Sequence, residues 1–296
     1  MSLFDDDTSN QNSFSADSNP PDGSAIPEEG ALPASPAPPP SPVAIIPEDL
    51  RISWSWAHFL LFLLFSAGVF LIGQIALGVY LISYLHISVK QIEANPAIVA
   101  PYAVAMQVVL FAFMLLFLYV TIGLLRDAPF WRSVGWKKFE ARRTSQRARV
   151  WRYLLAGAGL SVVVNLSTFF VHPKGELPIE MMFKDRSSMI LLMLLAVLVA
   201  PLVEETVFRG YLYPLLARSF GVPAGVLLTG VLFGLLHGAQ LGWTWSLVAI
   251  LSLVGVIFTH VRARTGTFLS SFLLHLGYNS LLAISTLVAM RGLHHG

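Results

Sequence analysis

The sequence predicts an all-α fold, a polytopic membrane bundle of about seven helices, on three observations. Of 296 residues, 55% are hydrophobic and 12% are charged, half the roughly 25% charge typical of a soluble domain. Mean hydropathy is +0.67. Charge-poor stretches recur along 51–296, each near the roughly 20 apolar residues that cover a bilayer's hydrocarbon core.

In chain order, spans are expected near 57–85, 98–125, 152–171, 187–217, 223–238, 244–261 and 267–290. The fifth and sixth come from one uncharged stretch, 219–261, which is too long for a single crossing. Gly238, Gly242, Trp243 and Trp245 place a turn inside it. Gly230-x-x-x-Gly234 in the fifth span reads as close helix packing.

Charge falls in blocks. Residues 1–50 hold nine acidic residues, ten of the 18 prolines and no Lys or Arg. This acidic, Pro-rich tail cannot bury a core and is expected to be disordered. It also lacks the positive n-region of a secretory signal. The membrane part, 51–296, carries nineteen basic residues against eight acidic ones, a net +11. Arg126, Arg132, Lys137, Lys138, Arg142, Arg143, Arg147, Arg149 and Arg152 crowd the loop between the second and third spans. With seven spans this loop shares a side with the N-terminus, Arg218, Arg262 and Arg264. Lys90, Lys174, Lys184, Arg186 and Arg291 fall opposite. The positive-inside rule then puts the tail in the cytoplasm, as in a bacterial inner (plasma) membrane protein.

The basic loop is therefore read as a topology determinant near anionic headgroups, and nucleic acid is not an expected partner. Trp54, Trp56, Trp131, Trp136, Trp151, Trp243 and Trp245 all fall at span ends, as interface-belt residues do. Cysteine is absent, which excludes thiol nucleophiles and Cys metal sites. No Gly-x-Ser-x-Gly elbow, P-loop or Rossmann glycine pattern occurs, so serine hydrolysis and nucleotide chemistry are not expected.

Ionisable residues inside apolar spans carry the functional signal, because each costs about 2.5–3.5 kcal/mol to insert. Pro201-Leu-Val-Glu204-Glu205-Thr-Val-Phe-Arg209-Gly210 holds three of them. Glu205 and Arg209 are one turn apart with the acid first, the favoured order for an ion pair. Glu204 lies about 100° around the helix and has no partner in its own segment. A desolvated carboxylate is a stronger base, which suits proton abstraction. Phe233-x-x-x-His237 and His275-x-x-x-Asn279 each set two side chains on one helical face in two further spans. His58, His86, His172, His260, His294 and His295 lie at span ends or the terminus, where water satisfies an imidazole. Gln74, Gln107 and Asn165 are expected to be interhelical hydrogen-bond partners.

Glu-Glu-x-x-x-Arg, Phe-x-x-x-His and His-x-x-x-Asn, in that order on successive apolar helices, resemble the CPBP family. That family includes type II CAAX prenyl endopeptidases and the bacterial Abi or bacteriocin-processing membrane proteases. The likeness covers roughly 178–290, with Leu177-Pro178-Ile179-Glu180 and Thr265-Gly266-Thr267 preceding two of the motif helices. Phe130–Trp136 resembles the family segment before the core, whereas the first 125 residues show no family feature. The resemblance implies an intramembrane endopeptidase in which Glu204 and His237 activate a water. His275 and Asn279 would donate to the oxyanion, Glu205 and Arg209 would support the motif helix, and Phe233 would pack. An eighth helix is allowed, as in the eukaryotic relatives.

Glu204, His237 and His275 also compose a His₂Glu set that suits catalytic zinc. No His-Glu-x-x-His clamp preforms it, so metal-free activated water is the preferred reading and zinc the alternative. The expected partners are the bilayer and a membrane protein or peptide substrate. Two other classes share these features: a non-catalytic membrane immunity or scaffold protein, and a transporter using the buried Glu and His groups.

Overall fold

The computed structural model describes residues 47–139, 145–168, 170–171, 177–178 and 186–293. Most of the tail expected to be disordered lies outside them, as do Arg142, Arg143, His172, Lys174, Glu180, Lys184, His294 and His295. The chain divides into Met1–Ala44 and Ile45–Gly296, and the fold described here is that of the second unit.

The described residues build helices and no strands: α1 (Trp56–Val79), α2 (Val89–Ala94), α3 (Ala100–Leu118), α4 (Phe130–Ser133) and α5 (Gln146–Thr168) come first. The motif rod follows as α6 (Arg186–Leu194), α7 (Ala200–Glu205) and α8 (Tyr213–Phe220), joined by the π turns Leu195–Val199 and Thr206–Leu212. The chain closes with α9 (Val222–Leu236), α10 (Trp245–Thr265) and α11 (Phe268–Leu293). Among the described residues six helices are long and apolar enough to cross a membrane, and Val222–Leu236 is a shorter apolar helix. The expected fold class holds; six of the seven expected spans are helices of that kind, and the fifth corresponds to the shorter Val222–Leu236.

Each π turn of the motif rod lies just before a proline, Pro201 or Pro214. Proline has no N–H, and its ring clashes with the carbonyl four residues earlier. Widening the turn relieves that clash without ending the helix. The rod therefore stays continuous past two residues that would otherwise break it.

Glycines set the closest crossings. A Cβ on Gly157 would strike the Leu274 carbonyl, and one on Gly277 would strike the Leu154 carbonyl, so α5 and α11 pack backbone to backbone. A Cβ on Gly230 would meet the Val256 backbone, and one on Gly234 would meet Ser252. The expected Gly-x-x-x-Gly contact thus joins α9 to α10. The turn between them runs where the glycines place it, with Gly242 and Trp243 at φ 54° and 52°. Trp243 N–H donates to the Gly238 carbonyl at 2.8 Å.

At one end of the bundle the chain entering α1 straps across the other helices. Lys137 Nζ lies 2.9 Å from Glu48 Oε1, and Arg262 Nη1 lies 3.1 Å from Asp49 Oδ2. Arg218 Nη1 donates to the Ile52 carbonyl. The N-terminal segment, the basic loop, Arg218 and Arg262 are thereby gathered together, as the charge pattern anticipates.

Three expectations are corrected. Trp54 is no belt residue: it is buried, with Nε1 donating to the Tyr211 carbonyl at 3.1 Å. His58 is satisfied by protein rather than water, through Nδ1 to Tyr211 Oη at 2.7 Å and Nε2 to Thr121 Oγ1 at 2.9 Å. Since Thr121 Oγ1 donates to the Phe117 carbonyl, it accepts from His58, and Tyr211 Oη donates to the other ring nitrogen. Asn165 bonds within its own helix, Nδ2 to the Ser161 carbonyl at 3.0 Å, as short polar side chains commonly do one turn back.

Candidate active site

The two adjacent carboxylates of α7 face different surroundings. Glu205 is fully buried and lies 2.9 Å from Arg209 Nη1. Arg209 is equally buried, and its other nitrogens are occupied: Nε donates to Thr259 Oγ1 at 3.2 Å and Nη2 to the Gly255 carbonyl at 2.9 Å. Its guanidinium lies 4.5 Å from the Phe233 ring centroid, a cation–π arrangement strengthened by desolvation. A buried ion pair persists when its remaining hydrogen-bonding capacity is met; α10 meets that of Arg209, while Glu205 Oε2 makes no hydrogen bond among the described residues. The close approach of α9 and α10 at Gly255, where a Cβ would meet the Gly230 carbonyl, brings that carbonyl within reach.

His275 joins the same network from α11, with Nδ1 3.1 Å from Glu205 Oε1. Its ring is 4% exposed, 5.0 Å from the Phe258 ring and 5.9 Å from Phe233. Because the Glu205 carboxylate accepts at Nδ1, Nε2 is the free position. It faces Glu204, 3.8 Å from Oε2.

His237 caps the C-terminal end of α9, where the Gly238 turn halts the helix. Its Nδ1 lies 2.7 Å from the Phe233 carbonyl and therefore carries a proton. Its Nε2 points at Glu204 Oε1 across 3.9 Å. Two imidazoles from different helices, each with Nδ1 occupied, thus turn Nε2 toward one partly exposed carboxylate. Both gaps are too long for a direct hydrogen bond. A water about 2.8 Å from each atom can bridge such a gap.

Glu204, His237 and His275 come together from three elements, with Phe233 packed between the two rings. Asn279 lies one turn beyond His275, and its Nδ2 donates to the Ala196 carbonyl in the first π turn at 2.8 Å. Glu205 and Arg209 pair as the spacing predicts. Sequence reasoning missed the α10 contribution of Gly255, Phe258 and Thr259. The available signal was their spacing, which puts a glycine, a ring and a hydroxyl on one face of the helix.

The donor types of Glu204, His237 and His275 suit zinc, and metal-bound imidazoles do give their other N–H to a carboxylate or carbonyl. The spacing is less suitable. Bonds of about 2.0 Å to a tetrahedral ion separate donors by about 3.3 Å, against 3.8 and 3.9 Å here. Among the described residues no trio of His, Asp or Glu has metal-binding separations.

Residues 186–281 match the family model of type II CAAX prenyl endopeptidase Rce1-like proteins. The match begins with α6 and ends two residues past Asn279, so it encloses all the residues just described. No curated protein and no solved structure matches the chain.

Proposed function

From the premise that 186–281 is an Rce1-like domain of the kind carried by CPBP family proteases, we propose that this membrane protein hydrolyses peptide bonds with a water activated by Glu204 and His237. One observation carries the reading: the Glu204 carboxylate stands between the Nε2 atoms of His237 and His275, neither in direct hydrogen-bond contact with it.

A water in the Glu204–His237 gap gives one proton to Glu204 as its oxygen attacks the scissile carbonyl carbon. The carbonyl π bond becomes an oxyanion. His275 faces that charge from Nε2, its ring held by the Nδ1 contact with Glu205. Asn279 supplies a second donor one turn along α11. Preorganised donors of this kind form the largest electrostatic contribution in acyl transfer. Glu204 then returns its proton to the leaving amine as the C–N bond breaks, releasing a carboxylic acid and an amine. The donor spacing does not favour zinc, and no step is routed through a metal.

We place the substrate among membrane-associated proteins or peptides, since the site lies between spanning helices. The charge pattern supports an inner (plasma) membrane location with the tail and the basic loop in the cytoplasm. The test compares membrane proteomes of cells carrying the native protein and Glu204→Ala. Peptide termini present with the native chain and absent with the variant are expected at equal protein levels. Full turnover by purified Glu204→Ala would reject the assignment.

A further inference from the structure

The π turn before Pro201 leaves backbone carbonyls without a helical donor, and one of them, that of Ala196, is the one Asn279 holds. Within the turn the Ala200 N–H bonds to the Leu195 carbonyl, five residues back. The next pairing in this register would join residue 201 to the Ala196 carbonyl, and Pro201 has no N–H to give. An unpaired carbonyl in a span costs free energy comparable to a lost hydrogen bond. The Asn279 side chain reaches across from α11 and fills the vacancy, Nδ2 to Ala196 O at 2.8 Å.

This contact fixes more than distance. Only the amide nitrogen can face a carbonyl oxygen, so the Nδ2 and Oδ1 ends of the carboxamide are assigned. One Nδ2 proton is taken by Ala196. The second is left in the amide plane at a fixed angle to the first, and cannot trade places with Oδ1 without breaking the contact.

We propose that Pro201 is a positioning residue, which by withholding its N–H makes the Ala196 carbonyl a cradle that orients the Asn279 amide. The catalytic half rests on the peptidase reading above, in which Asn279 is an oxyanion donor. A helix with an ordinary residue at 201 would satisfy its own carbonyl and let the Asn279 amide turn. The substrate-facing donor on α11 is thus set by a missing donor on α7, three residues before Glu204.

A double-mutant cycle over Pro201→Ala and Asn279→Ala, made in the full chain in detergent, tests the pairing. Asn279→Ala alone orphans the carbonyl and lowers the thermal midpoint. Adding Pro201→Ala restores an N–H at 201 and recovers that midpoint. Additive shifts, with no recovery, overturn the proposal whatever the activity. Turnover is read with an internally quenched farnesylated CAAX peptide, the substrate class named by the matched family. Pro201→Ala is expected to lower kcat with KM unchanged, and to cause no further loss in the Asn279→Ala background. Full kcat in folded Pro201→Ala, with Asn279→Ala impaired, overturns the positioning role. A native chain inert toward this and every other peptide defeats the peptidase reading and the catalytic half with it, while the midpoint cycle still decides whether Ala196 and Asn279 are paired through Pro201.

Discussion

Glu204 and Glu205 are the same residue type, one peptide bond apart in one helix, and share the His275 ring, yet they differ in burial and in how closely they are paired. Glu205 has no exposure, an arginine at 2.9 Å and an imidazole at 3.1 Å. Glu204 keeps 17% of its side chain exposed, with imidazoles at 3.8 and 3.9 Å. A turn of about 100° around the helix separates a carboxylate locked into a packed network from one left room for water. Burial and partner geometry divide structure from reactivity here, since chemistry and sequence position do not.

The comparison breaks most strongly at Arg209. Arg209→Ala leaves the buried Glu205 without its arginine and with only the His275 imidazole beside it, a loss of about 3–5 kcal/mol, measured as a lowered unfolding midpoint in detergent. Glu204→Gln should give the opposite pattern, with turnover reduced by about 10²–10⁴-fold for loss of a general base at an unchanged midpoint. A midpoint that falls as far as in Arg209→Ala would erase the distinction between the two acids. Thr259→Val keeps the shape and removes the oxygen that accepts from Arg209 Nε. Its expected cost is about 2 kcal/mol, as for hydrogen bonds to charged groups.

The smallest effect concerns the strap. The Lys137 ammonium bonded to Glu48 holds that carboxyl below its ordinary range. A depressed carboxyl stabilises the fold at pH values above its unfolded pKa and loses that contribution as the pH falls through the folded value. Native protein and Lys137→Ala should therefore differ slightly at neutral pH, and converge as the pH drops below about 4.5. High salt should close the same gap, because an exposed pair is screened.

The order of helices, the turn at Gly238–Trp245, the Glu205–Arg209 pair and the convergence of Glu204 with two histidines were all legible in the sequence. The ion pair and the motif faces depend on residues three or four apart, and the convergence of Glu204 with two distant histidines was implied by the likeness of three motifs to a family. The contacts that escaped reading join residues far apart in the chain. Tyr211 gives no sign that it will meet Trp54 and His58, 157 and 153 residues away. Thr259 resembles any hydroxyl in an apolar span until Arg209 is placed beside it. The belt rule failed at Trp54 because the strap folds inward, and span-end position alone cannot reveal that. The two π turns of the motif rod were readable in principle from Pro201 and Pro214, whose ring and missing N–H disturb the helix that runs through them, whereas those at Tyr80–Tyr84 and Tyr119–Leu124 contain no proline.

The packing of Arg209 also limits how the protein can open. Its guanidinium is fastened to Glu205 on its own rod, to Thr259 and Gly255 on α10, and to the face of Phe233 on α9, while Glu205 is tied to α11 through His275. A shaft keyed to three neighbours cannot swivel, so Glu204 stands where the rod puts it. On the proposed reading a substrate has to travel to that carboxylate, which keeps 17% of its side chain exposed.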